Sequence, residues 1–140
     1  MSSKKQIITA FVYICVTFLF AIIWHLVVFK SFYERIGYFG DEDPIIALGL
    51  LTIIIQGVLV GYAYPFFQRG GKASVDAIRV SIVFGVNTAS IHVLAAAAKH
   101  HAPASTEWFL MEGCYFLIQF SLLALMFTHI NKSKTPQPNA

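Results

Sequence analysis

"IITAFVYICVTFLFAIIWHLVVF", residues 7–29, runs without a single Asp, Glu, Lys or Arg. A helix rising about 1.5 Å per residue crosses the hydrocarbon core of a bilayer in about 20 residues. Three further windows of similar length and character follow, Ile45–Phe67, Ile78–Ala98 and Trp108–Ile130. The composition agrees with that reading: 12% of the residues are charged and 57% hydrophobic, where an ordinary soluble domain carries about 25% charged residues. Backbone groups in lipid must be satisfied within their own segment, which selects helices, and the alternating segments of about ten residues that a barrel needs are missing from the sequence. The expectation is an all-α membrane protein, a four-transmembrane-helix antiparallel bundle over residues 1–130, with a disordered cytoplasmic tail over 131–140.

The cations orient it. Lys4, Lys5, Arg69, Lys72, Arg79, Lys132 and Lys134 fall on one side, and Lys30, Arg35 and Lys99 on the other with the acidic run "GDEDP", residues 40–44. The positive-inside rule then puts both termini in the cytoplasm. "MSSKK" before an apolar run imitates a signal peptide, but the run is longer than an ordinary h-region and no A-x-A-like site follows, so the first helix reads as retained. No basic helix face accompanies the formal charge of +3, which argues against nucleic acid as a partner. The loop aromatics Phe32, Tyr33, Tyr38 and Phe39 suit the headgroup layer, and Asp43-Pro44 suits a helix start. Cys15 and Cys114 differ in depth and form no C-x-x-C, so both read as small buried residues rather than a redox pair.

The polar residues inside the windows form two layers. Counting from helix centres, Gln56 and Gln119 fall at the midplane, with Asn87 about two residues to the cytoplasmic side. This amide layer reads as hydrogen-bond glue between helices. His25 and Glu112 lie about 10 Å outward and His92 about 5 Å. Glu112, Tyr115 and Gln119 share one helical face, as do Thr88, His92 and Lys99. These faces should meet inside the bundle, because an unpaired polar group is costly in lipid. A cluster of His25, His92 and Glu112 beneath Lys99 is therefore expected. The small-residue pairs Gly57-x-x-x-Gly61 and Gly85-x-x-x-Ala89 mark close-packing faces.

A weak internal repeat aligns "IIIQGVLVGYAY" (53–64) with "FLIQFSLLALMF" (116–127), and His25 with His92, as two helix hairpins in parallel relation would. No phosphate-binding loop, nucleophile elbow, H-E-x-x-H or dinucleotide fingerprint is present, so enzymatic function is not expected. Three functional readings remain. The first is an interaction module, as a homo-oligomer or as an accessory subunit of a larger membrane complex. The second is a small proton-coupled transporter using Glu112 and the histidines. The third is a redox subunit with haem or a metal at His25/His92/Glu112, although the sequence by itself predicts no cofactor.

The segments "FAIIWHLVVFKSFYERIGYF" (20–39), "IIIQGVLVGYAYPFF" (53–67) and "HVLAAAAKHHAPASTEWFLMEGCYFLIQF" (92–120) carry a resemblance that spans nearly the whole chain. Through motifs such as Trp24-His25, Gln56-Gly57 and Ala98-Lys99-His100, the chain resembles a family of small four-helix bacterial membrane proteins of unknown function. The resemblance implies a bacterial inner-membrane location and brings no activity or site residue with it.

Overall fold

In the computed structural model, residues 1–39, 45–99 and 105–132 are described, and every regular element among them is helical. Ser2 caps α1 (Ser3–Ile22), its side chain accepting from the Lys5 amide. A π-helical turn, Ile23–Val28, continues α1, and the short α2 (Lys30–Arg35) follows. Next, α3 (Ile46–Ala63) tightens into a 3₁₀ turn at Tyr64–Phe67, where Pro65 cannot continue the α ladder. Gly70 then turns the chain at φ 70°, a left-handed conformation costly for other residues. α4 (Ala73–Ala89) also runs into a π turn, Ser90–Ala95, and ends in α5 (Ala96–Ala98). Ser105 caps α6 (Thr106–Asn131) by accepting from the Trp108 amide at 3.2 Å.

Four helical stretches, Ser3–Val28, Ile46–Phe67, Ala73–Ala98 and Thr106–Asn131, are long and apolar enough to cross a membrane. The third begins five residues before its apolar window. The apolar window stops short of Asp76, whereas backbone hydrogen bonding does not. The expected tail beyond residue 130 and the Asp43-Pro44 helix start fall largely or wholly outside the described residues. So do His100 and His101.

α1 packs on α3 and α4 on α6, and the two pairs meet along α1 and α6. The expected glycine faces lie in these contacts. A Cβ on Gly61 would sit 2.7 Å from the Gln6 carbonyl oxygen, and one on Gly57 2.5 Å from Ile14 Cγ1. Gly85 meets the Phe120 ring, 2.9 Å from a hypothetical Cβ, and Ala89 packs against the core one turn later. Large apolar side chains such as Ile7, Phe11, Val58, Val86, Leu117 and Leu125 point outward. Glu112, Gln119, Thr9, Thr17 and Asp76 are buried. Two expectations about burial fail here. Cys114 is exposed on α6, because its position puts it off the Glu112–Tyr115–Gln119 face. Asn87 is exposed too, one residue out of phase with the inward-facing Thr88, so it is not part of the buried amide layer.

Candidate functional site

Gln56 and Gln119, aligned in the weak repeat, both grip α1. Gln56 Oε1 accepts from the Tyr13 hydroxyl at 3.0 Å, and Gln119 Nε2 donates to Thr17 Oγ1 at 3.3 Å. Tyr13 and Thr17 are one helical turn apart, so the two amides fix the depth of α1 against α3 and α6.

Above them, toward the end of α1, His25 and His92 both lie within π turns. A π turn adds a residue to the helical circuit and so re-aims the side chains around it; such bulges recur at functional sites. The structure brings His25, His92 and Glu112 together. Fully buried Glu112 has its Oε1 3.4 Å from His25 Nε2 and its Oε2 3.2 Å from His92 Nε2. One ligand-type atom from each of the three residues lies within 4.8 Å of the others. Lys99 is outside this group. It is exposed, makes no ion pair among the described residues, and shares only a cleft of about 470 Å³ with Tyr38 and His92.

Hydrogen bonds set the polarity of the site. Trp24 Nε1–H donates to the Tyr33 hydroxyl at 3.0 Å, and that hydroxyl donates to Glu112 Oε1 at 2.5 Å. Burial, and then the neighbouring carboxylate, push the Tyr33 phenol well above its ordinary range, so it keeps its proton. His25 Nδ1 lies 3.0 Å from the Ala21 carbonyl oxygen, an acceptor only, so Nδ1 carries a proton. A neutral His25 therefore turns the bare lone pair of Nε2 toward a carboxylate. His25 Nε2 and Glu112 Oε2 are both buried without a hydrogen-bond partner. Acceptors facing acceptors in a buried site need a positive charge between them, a proton or a metal ion.

Tyr38 completes the shell, its hydroxyl 3.3 Å from His92 Nε2 and its ring 4.9 Å from that of Trp108. Burial, and then Glu112, push its phenol up as well. The placement of these tyrosines departs from the headgroup-layer expectation: Tyr33 is fully buried and Tyr38 half-buried, folded back over the site by α2 and the turn at Gly37. An aromatic at a helix end reads the same in sequence whether it faces headgroups or a neighbouring carboxylate. The only available signal was that Glu112 needed more donors than two histidines provide.

Beside the site lies a cavity of about 540 Å³. His25, His92 and Tyr38 line one end, Gln56 and Gln119 the other, with apolar walls between. Comparison with family models, curated proteins and solved structures finds no match. What the site does must be read from its side chains.

Proposed function

We propose that this chain is a membrane-embedded, antiparallel four-helix bundle that holds one divalent transition-metal ion at His25, His92 and Glu112. Insertion is supported by the many large apolar side chains, such as Phe11, Val58, Val86 and Leu117, that cover the outside of the bundle, and by four helical stretches long and apolar enough to cross a membrane. The antiparallel arrangement is supported by Gly57 meeting Ala10 and Ile14 while Gly61 meets Gln6 and Ala10. With both termini cytoplasmic in a bacterial inner membrane, the site lies toward the outer face.

The convergence of two imidazole nitrogens and a carboxylate, within 4.8 Å, carries the metal reading. The donor set suits zinc, iron or another borderline divalent ion. Two of the three ligands are held from behind as such ligands commonly are: His25 by the Ala21 carbonyl, Glu112 by Tyr33 and, through it, Trp24. Three protein ligands leave further coordination positions open. We infer a single ion rather than a haem between the histidines. Their ring centroids are 6.4 Å apart with the Glu112 carboxylate beside both, which leaves no slot for a macrocycle.

Cobalt binding to the full chain in detergent tests this reading. One equivalent should give the visible spectrum of a nitrogen- and oxygen-ligated ion. His25→Ala, His92→Ala and Glu112→Gln should each abolish it, with helical content kept. A wild-type protein that takes up no cobalt, zinc or iron at micromolar concentration overturns the reading. One observation favours the proton-coupled transporter as a second reading: His92 borders both the large cavity and the cleft beside Lys99, which offers access from two directions. An interaction module or accessory subunit would leave the buried carboxylate between two imidazoles without a role.

A further inference from the structure

α2 ends in a Schellman motif. The Gly37 amide donates to the Glu34 carbonyl and the Tyr38 amide to the Tyr33 carbonyl, both at 3.0 Å, with Gly37 at φ 70°. This closure sets the Tyr33 and Tyr38 rings side by side, centroids 5.3 Å apart. The two hydroxyls differ in what they meet. Tyr33 is committed, donating to Glu112 Oε1. The Tyr38 hydroxyl faces His92 Nε2 at 3.3 Å. A metal ion on His92 Nε2 takes the lone pair that this hydroxyl would otherwise meet, so the phenol oxygen is left beside the ion.

The distances are those of a coordination polyhedron. With bonds of about 2.0–2.1 Å, a tetrahedral ion holds its ligand atoms about 3.3–3.4 Å apart. His92 Nε2 is 3.3 Å from Tyr38 Oη and 3.2 Å from Glu112 Oε2. Tyr33 holds Oε1, which leaves the unpartnered Oε2 for the ion. His25 Nε2 approaches the same carboxylate, 3.4 Å from Oε1. Charge points the same way. Two neutral imidazoles and one carboxylate leave a divalent ion with an uncompensated positive charge in a buried site, which is costly. A phenolate brings the sum to zero.

From this arrangement we propose that Tyr38 is a fourth protein ligand, holding the divalent ion through its phenolate oxygen together with His25, His92 and Glu112. As the oxygen–metal bond forms, the phenol O–H bond breaks and the proton leaves to water. Tyr38 and His92 both line the large cavity and the cleft beside Lys99, so the ligand atoms stand where an ion can reach them. The inference rests on the metal reading above and goes beyond it: the centre becomes four-coordinate and electroneutral, and the turn at Gly37 becomes part of what builds it.

Copper(II), added alone to the full chain in detergent, tests it. Uptake is read by equilibrium dialysis, and ligation by visible absorption and resonance Raman scattering. One equivalent should give a phenolate-to-copper charge-transfer band, and excitation within that band should enhance phenolate ring vibrations. Tyr38→Phe should still take up one equivalent of copper or cobalt, at least about tenfold more weakly, with the band gone. Tyr33→Phe should keep the band at saturating copper. His25→Ala should lose the band and this equivalent of copper together, which separates the site from histidines elsewhere in the chain. Uptake by the wild type without the band overturns the proposal and leaves the metal reading standing, as does an unchanged band in Tyr38→Phe. A band lost in Tyr33→Phe but kept in Tyr38→Phe overturns it too, giving the ligand role to Tyr33. No uptake of any ion by the wild type overturns the metal reading and this proposal with it.

Discussion

Glu112 and Asp76 are the carboxylates buried among the described residues, and they sit toward opposite ends of the bundle. Asp76 lies in the first turn of α4, where the helix dipole favours an anion. Its partner is Arg79, three residues along the same helix and 3.2 Å away. That compensation is local, permanently charged and partly solvated, since the Arg79 side chain is 43% exposed. Glu112 is compensated by His25 from the π turn after α1, by Tyr33 on α2, and by His92 from the π turn after α4. Those partners come from distant parts of the chain, and each can gain, lose or share a proton or a metal. A fixed charge beside a carboxylate stabilises a fold, whereas several exchangeable groups around one make a site.

The sharpest way to break this contrast is to remove both carboxylates in turn. Glu112→Ala leaves the Tyr33 hydroxyl without its acceptor and any imidazolium uncompensated, and should cost about 3–5 kcal/mol. Asp76→Ala leaves an arginine that can reach solvent, and should cost about 1 kcal/mol. Thermal unfolding of the purified variants in one detergent gives the comparison. Equal losses would mean that Glu112 has no special dependence on its distant partners.

A smaller effect sharpens the same contrast through tyrosine hydroxyls. Tyr33→Phe removes the hydrogen bond behind Glu112, at about 1.5–3 kcal/mol, and should weaken cobalt binding about 10–100-fold. Tyr64→Phe, toward the other end, deletes a hydroxyl with no hydrogen-bond partner among the described residues. It should cost no more than about 1 kcal/mol and leave cobalt binding alone. Isothermal titration beside thermal unfolding separates the two. A Tyr33→Phe protein with native cobalt affinity would remove the hydroxyl from the site's supporting shell.

The smallest expected effect is at the rim. Arg35 pairs with Glu107 at 3.0 Å, joining α2 to the first turn of α6, but both side chains are about 60% exposed. Arg35→Ala should shift stability by less than about 0.5 kcal/mol, and raised salt should erase the difference. A large loss in the same unfolding assay would show that α2 is held over the site by this pair rather than by burial of Tyr33.

Much of the architecture could be read in one dimension, because the properties involved are local. Window length and composition identify four helices suited to a membrane, and glycine spacing marks the faces where helices approach. The depth count brought Gln56 near Gln119 and His25 near Glu112, because rise per residue is nearly constant in a helix. Helical phase was less secure. Asn87 and Cys114 face outward, since a polar or small residue near an inward face need not belong to it.

What the sequence by itself determined is thus the set of long apolar helices and the level at which the main polar groups sit. Periodicity and chain rise carry that information without reference to neighbours. Only the tertiary structure decided which groups meet. The π turns at Ile23–Val28 and Ser90–Ala95 leave no compositional mark, yet they surround His25 and His92 where each faces Glu112. Tyr33 and Tyr38 read as interfacial aromatics until α2 folds them over the carboxylate. A buried charge draws its partners from whatever the packing brings within hydrogen-bond reach, and that neighbourhood belongs to the folded bundle rather than to any segment of the chain.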